Sequence, residues 1–104
     1  MRHILKQPYK QFFGTLANQV RLDIVELLLK SAQNVSSLTQ ALPYEQSTIS
    51  HSLKRLALCG FVTVTKKGKE RIYTLNTQTI KPLFTLMQTH MDAYCKHIVA
   101  GKHH

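Results

Sequence analysis

A chain of 104 residues with 43% apolar side chains has the length and composition of one small folded domain. Burial at that size is adequate rather than generous, so a second subunit is expected to help. No stretch approaches the ~20 apolar residues of a membrane span, and the opening "MRHILKQPYK" lacks the apolar segment and small-residue cleavage site of a secretory signal; the reading is a cytoplasmic protein with no membrane partner. Fourteen Lys and Arg against five Asp and Glu give a net charge of +9, which points to an anionic partner, nucleic acid first.

In chain order, a first helix is expected from Tyr9 to Ala17, after Pro8, and Asn18 caps a second. That second helix, "QVRLDIVELLLK", carries Leu22, Ile24, Val25, Leu27, Leu28 and Leu29 around most of its circumference and should be the most buried element. Asn34 to Ser37 form a polar break with capping residues. The short helix "SSLTQAL" then turns Val35, Leu38, Ala41 and Leu42 inward, and Pro43 stops it. "QSTISHSLKRL" begins the next helix, which ends near Gly60, a suitable C-cap. There the period changes from 3.6 to 2. "FVTVT" and "RIYTL" read as two strands, and "KKGK" between them holds the glycine that a hairpin turn wants. From Gln78 to about His97 the helical period returns, with Ile80, Leu83, Phe84, Met87, Met91, Tyr94 and Ile98 on one long apolar stripe. The fold class is therefore mainly α with a β-hairpin wing, in the order α-α-α-α-β-β-α, forming a single domain over residues 1–104.

The stretch from Gln46 to Leu56 is unusual for a surface helix, because it is loaded with Ser, Thr and His, all mediocre helix formers. At about 100° per residue, Ile49, Leu53 and Leu56 share one face, and Ser47, His51 and Lys54 fall on the opposite one, flanked by Thr48, Ser50 and Arg55. A short helix, a polar turn, a second helix with a polar outer face and a basic hairpin make a helix-turn-helix followed by a wing. A major groove about 12 Å wide admits one helix, and short hydrogen-bonding side chains read its base edges well. Ser47, Thr48, Ser50 and His51 are of that type. Lys54 and Arg55 reach for phosphates or a guanine edge, and the wing cations Lys66, Lys67, Lys69 and Arg71 grip the backbone or the adjacent minor groove.

"FFGTLANQVRLDIVELLL", followed by "QSTISHSLKRLALCGFV" and "KKGKERIYTL", resembles the arsenic-repressor (ArsR-type) family of winged-helix transcriptional regulators, over about Phe12 to Leu75. The resemblance implies a symmetric dimer built through the first and last helices, with DNA contacts at Gln46, Ser47, Thr48, Ser50 and His51 and a wing from Lys66 to Arg71. The stripe of Leu83, Phe84, Met87, Met91, Tyr94 and Ile98 then becomes the dimer interface. The sequence departs from the family in three places. Glu45 begins the recognition helix where Ser is frequent. No cysteine precedes Cys59, so the family's familiar cysteine-pair metal site is missing. His90, Asp92 and His97 stand in a different order and spacing from its histidine-based sites.

His90 and His97 are two helical turns apart, too far for one ion within one subunit, and Asp92 lies off their face. Cys59 and Cys95 are too few for a disulfide scaffold and read first as small packed hydrophobes in a reducing compartment. Thiol oxidation at Cys59 or Cys95 and a histidine site in the last helix are the alternative routes to a sensor. Neither a Gly-rich phosphate loop, a nucleophile elbow nor paired catalytic carboxylates occur, so no enzyme, small-molecule substrate, cofactor or metal is expected. A winged helix used only for protein contacts is the other rival. The leading reading is a dimeric repressor that binds an inverted repeat in double-stranded DNA and occludes a promoter.

Overall fold

The computed structural model describes residues 7–95. Helices α1 (Gln7–Leu16) and α2 (Gln19–Lys30) are followed by a two-residue strand β1 (Gln33–Asn34), helices α3 (Val35–Ala41) and α4 (Gln46–Leu58), strands β2 (Val62–Lys67) and β3 (Glu70–Leu75), and helix α5 (Ile80–Tyr94). This is the expected order with one addition. Strand β1 pairs with β3, Gln33 opposite Tyr73 and Asn34 opposite Ile72, so the sheet has three antiparallel strands in the order β1-β3-β2. Two residues carry too short a pattern for a period of 2 to be visible.

Local chemistry explains the element ends. Helix α1 starts earlier than expected, because Pro8 sits in its first turn, where a missing N–H costs nothing. Asn18 caps α2, its Oδ1 accepting from the Arg21 N–H at 3.0 Å. Asn34 caps α3 in a reciprocal box: its Oδ1 accepts from the Ser37 N–H at 2.7 Å, and Ser37 Oγ accepts from the Asn34 N–H at 3.2 Å. Helix α4 ends in a Schellman turn. The Phe61 N–H donates to Leu56 O and the Gly60 N–H to Ala57 O, with Gly60 at φ +74, which a side chain would strain. Gly68, at φ +66, occupies the first of two turn residues between β2 and β3, the position a II′ hairpin turn reserves for glycine. Asn76 joins the sheet to α5, since its Oδ1 accepts from the Gln78 and Thr79 N–H groups while its Nδ2 donates to Gly60 O.

One core serves all of these elements. Ile24, Val25 and Leu28 of α2, Leu38 of α3, Ile49, Leu53 and Leu56 of α4, and Phe61, Val62, Tyr73, Leu75 and Ile80 form a single buried cluster. Phe12 fastens α1 to it by stacking on Phe61 at 5.0 Å between ring centroids. One inward expectation is corrected. Ala41 is exposed, because a helix of seven residues has room for only Leu38 and its half-buried neighbours beneath it. Val64 is exposed as well, because only Val62 of β2 reaches the core before the hairpin projects past the helices. Ile98 and His97 lie outside the described residues. Among those described, no helix is long and apolar enough to cross a membrane.

Tyr44, in the turn between α3 and α4, pins that turn to α2: its hydroxyl donates to Asp23 Oδ2 at 2.6 Å, and Asp23 Oδ1 accepts from Gln19 Nε2 at 2.7 Å. This hydrogen bond, with partial desolvation and the carboxylate's charge, raises the Tyr44 phenol above its ordinary pKa of 10.0. A raised folded-state value means that the contribution is complete at lower pH and is lost as pH climbs past 10.0. Urea unfolding across that range should show the wild type losing stability more steeply than Tyr44→Phe, which starts lower; parallel profiles would contradict the link. Glu45, the N-cap of α4, makes no side-chain cap bond. Glu45→Ser should therefore raise stability by roughly 0.5–1 kcal/mol, the lost carboxylate–dipole attraction holding the gain below that of an ordinary cap. An unchanged or lower unfolding midpoint would show that the serine hydroxyl does not engage the first turn.

Candidate nucleic-acid interface

Rotation of α4 is settled by its buried face. Ile49, Leu53 and Leu56 have no exposed surface and Ser52 is buried beside them, which leaves Gln46, Ser47, Thr48, Ser50, His51, Lys54 and Arg55 exposed. The strip seen in the sequence is one continuous outward surface. Helix α3 lies beneath it, and the turn from Leu42 to Glu45 joins the two as the helix-turn-helix requires.

Two open grooves flank the strip. On one side Ser47, Thr48, His51 and Ser52 share a groove with Asn18, Val20 and Arg21, so the N-terminal turn of α2 runs beside the recognition helix. On the other side Gln46 meets Asn34, Val35 and Ser36 from the start of α3 and Lys69, Glu70 and Arg71 from the hairpin. Pattern reading assigned Gln46, Lys69 and Arg71 to one surface and the fold brings them together. It missed Asn18, Arg21, Asn34 and Ser36. Both asparagines were legible as helix caps, but that two helix starts open toward α4 is a property of the packing alone.

The hairpin is held at a fixed angle by Asn34 Nδ2, which donates to Glu70 Oε1 at 2.7 Å. Its cations stay free of the core: Lys66, Lys67, Lys69 and Arg71 are all exposed. Lys66 stands directly across the ladder from Arg71, and Lys67 across from Glu70. A like-charged pair in register weakens a two-stranded ribbon unless an anion lies against both. Charge, exposure and register therefore favour a polyanion along this edge.

The apolar stripe of α5 divides in two. Leu83 and Phe84 pack partly on the core, whereas Leu86 is 67% and Tyr94 74% exposed, with Met87 and Met91 half-buried between them. Tyr9 and Phe13 of α1 add further exposed apolar surface and line a shallow apolar groove with Pro8, Phe12 and Leu83. Sequence periodicity did not mark Tyr9 or Phe13, because a ten-residue helix with two consecutive phenylalanines has no clean stripe.

Cys59 sits at the C-cap of α4, half-buried, with its Sγ 3.2 Å from Thr15 Oγ1. Cys95 ends α5 and is also half-buried. His90 is exposed and tilts against Tyr94 at 4.9 Å between ring centroids, and Asp92 accepts from Gln88 Nε2 at 2.9 Å. Among the described residues no three His, Cys, Asp or Glu side chains converge in a way that would hold a metal ion.

Comparison with known proteins agrees with this geometry. The pattern that describes bacterial regulatory proteins of the arsR family matches residues 18–64. The transcriptional activator HlyU of Vibrio cholerae is 31% identical over 81 residues, covering 78% of this chain and 72% of that protein. Among solved structures, Rv0081 of M. tuberculosis is similar at a TM-score of 0.80 and 27% identity, over 91% of this chain and 99% of that one. The homodimeric winged helix-turn-helix DNA-binding domain Mb0332 of Mycobacterium bovis, described as a possible ArsR-family transcriptional regulator, is similar at 0.77 and 26% identity, over 93% and 86%. With its recognition helix, hairpin wing and supporting helices arranged in the same way, the chain belongs to the arsR family of bacterial regulatory proteins, which are DNA-binding transcriptional regulators.

Proposed function

We propose that the protein works as a homodimer that reads an inverted repeat in double-stranded DNA, each subunit placing the outward strip of α4 in a major groove, and that it represses by covering a promoter. The observation that carries this reading is the strip itself. Ser47, Thr48, Ser50 and His51 stand exposed as a row of short hydrogen-bonding groups, bounded by the start of α2 on one side and by the basic hairpin on the other. Lys54 and Arg55 lie toward the end of the same helix. Short side chains suit base edges, and the longer cations suit phosphates. Working on DNA places the protein in the bacterial cytoplasm.

The apolar surface supports the dimer. Tyr9, Phe13, Leu86 and Tyr94 are 53%, 58%, 67% and 74% exposed, more apolar surface on two adjoining helices than a small monomer usually leaves in water. The Mycobacterium bovis domain of the same architecture is homodimeric. A two-fold axis would set two recognition helices about one helical turn of DNA, ~34 Å, apart, which is the spacing of an inverted repeat.

Once a preferred duplex has been selected from a random pool, two kinds of contact can be told apart. His51→Ala should weaken the selected duplex by roughly 1–3 kcal/mol and leave an unrelated duplex nearly unaffected. Lys67→Gln should weaken both by the same factor and make the log–log salt dependence shallower by up to about 0.9. The reverse pattern would contradict the assignment of strip and wing. For the dimer, Phe13→Glu combined with Tyr94→Glu should sediment as a folded monomer and lose most of its affinity for the full repeat. A folded double variant that remained dimeric would place the interface elsewhere.

A further inference from the structure

Thr15, in the last turn of α1, is a fully buried polar residue at the meeting point of two arginines from other helices. Its backbone oxygen accepts from Arg21 Nε of α2 at 2.7 Å, and its hydroxyl oxygen accepts from Arg55 Nε of α4 at 3.2 Å. Arg21 also donates through one Nη to Gly14 O at 3.2 Å. The Thr15 hydroxyl proton is committed to Gln11 O at 2.8 Å, so the oxygen presents lone pairs to its other neighbours and the Cys59 thiol at 3.2 Å is the donor toward it. We propose that Arg21 and Arg55, both seated on Thr15, form a clamp for one DNA backbone phosphate at the border of the recognition strip, and that Thr15 is its positioning residue.

The placement supports phosphate rather than a base edge. Arg21 lines the groove that also holds Ser47, Thr48 and His51, and Arg55 follows His51 by one helical turn on α4. Both guanidinium groups therefore stand at the rim of the surface that meets the duplex. A guanidinium anchored through Nε has its plane fixed, which leaves Nη donors directed outward as a fork that matches phosphate oxygens. Arg21 is compensated in part by the carbonyl oxygens at the C-terminal end of α1, where the helix dipole favours a cation. Arg55, in the last turn of α4, has the carbonyl end of its own helix close by. Gathering a second guanidinium at the same residue adds repulsion that an anion removes. Anchoring before binding also spares the ordering of two long side chains when DNA arrives.

This inference rests on the DNA-binding reading and deepens it, since pattern reading placed Arg55 on the strip but gave neither Arg21 nor Thr15 a part. The test is the salt dependence of binding to the selected duplex and to an unrelated duplex, for folded proteins verified by thermal unfolding. Arg21→Gln and Arg55→Gln should each make the log–log slope shallower by up to about 0.9 and weaken both duplexes by the same factor, and the double variant should lose no more than one phosphate contact's worth. Thr15→Val, which keeps the backbone oxygen but removes the hydroxyl, should shift the slope in the same direction and add nothing to Arg55→Gln, while Thr15→Ser should match the wild type. An unchanged slope in either arginine variant, or a Thr15→Val loss that adds in full to that of Arg55→Gln, would overturn the clamp. If Thr15→Val fails to fold, the two arginine slopes decide alone. A wild type that binds neither duplex would overturn the DNA-binding reading along with the clamp, whereas normal wild-type binding with unaltered variant slopes would overturn the clamp only.

Discussion

The burial of one narrow face of α4 is the constraint on which the rest depends. Ile49, Leu53 and Leu56 are sealed against α2, α3 and the first residues after the helix, and none of them keeps any exposed surface. Rotating the helix by one residue would bring polar side chains into that core, at a cost of several kcal/mol in unsatisfied groups and lost apolar burial. Because that rotation is closed off, Ser47, Thr48, Ser50 and His51 have only one direction to face. The buried half of the helix thus determines the exposed half.

Around this element, polar contacts set the angles between elements. Asn34 binds Glu70 and holds the hairpin against the start of α3, Tyr44 binds Asp23 and holds the turn before α4 against α2, and Asn76 bridges the end of α4 to the start of α5. Each of these residues joins two elements distant in sequence, which is what a recognition surface made from three separate segments needs. The glycines at 60 and 68 supply the two positive-φ corners, one closing α4 in a Schellman turn and one reversing the hairpin. Electrostatics then completes the surface, because Lys66 faces Arg71 across the ladder and Arg21 and Arg55 meet at Thr15.

Much of this was legible in the chain because local rules decided it. Asn18 and Asn34 announced their helices, the apolar residues of α2 announced the centre, and the change of period after Phe61 announced the hairpin. The outward strip was visible from the 3.6 period alone. What escaped was set by packing between elements. Strand β1 is two residues long and exists because β3 offers it an edge; Ala41 looked inward by period and faces outward because its short helix leaves the core there. Arg21 reads as an ordinary helix charge until α1 ends beside it, and Tyr9 and Phe13 carry no periodic signal until their helix is seen lying on the surface. On the functional side the outline of the strip could be read, but its neighbours could not.

On the function proposed above, the outward face of α4 and the hairpin together meet the duplex. The most direct test is titration of the isotope-labelled protein with the selected duplex, followed by backbone amide shifts in solution. Large changes are expected on α4 from Gln46 to Arg55, at the end of α1 and the start of α2, and over residues 66–71, with the core of α2 and the middle of α5 nearly still. Changes centred on α5, or the same small shifts everywhere with α4 unmoved, would contradict it.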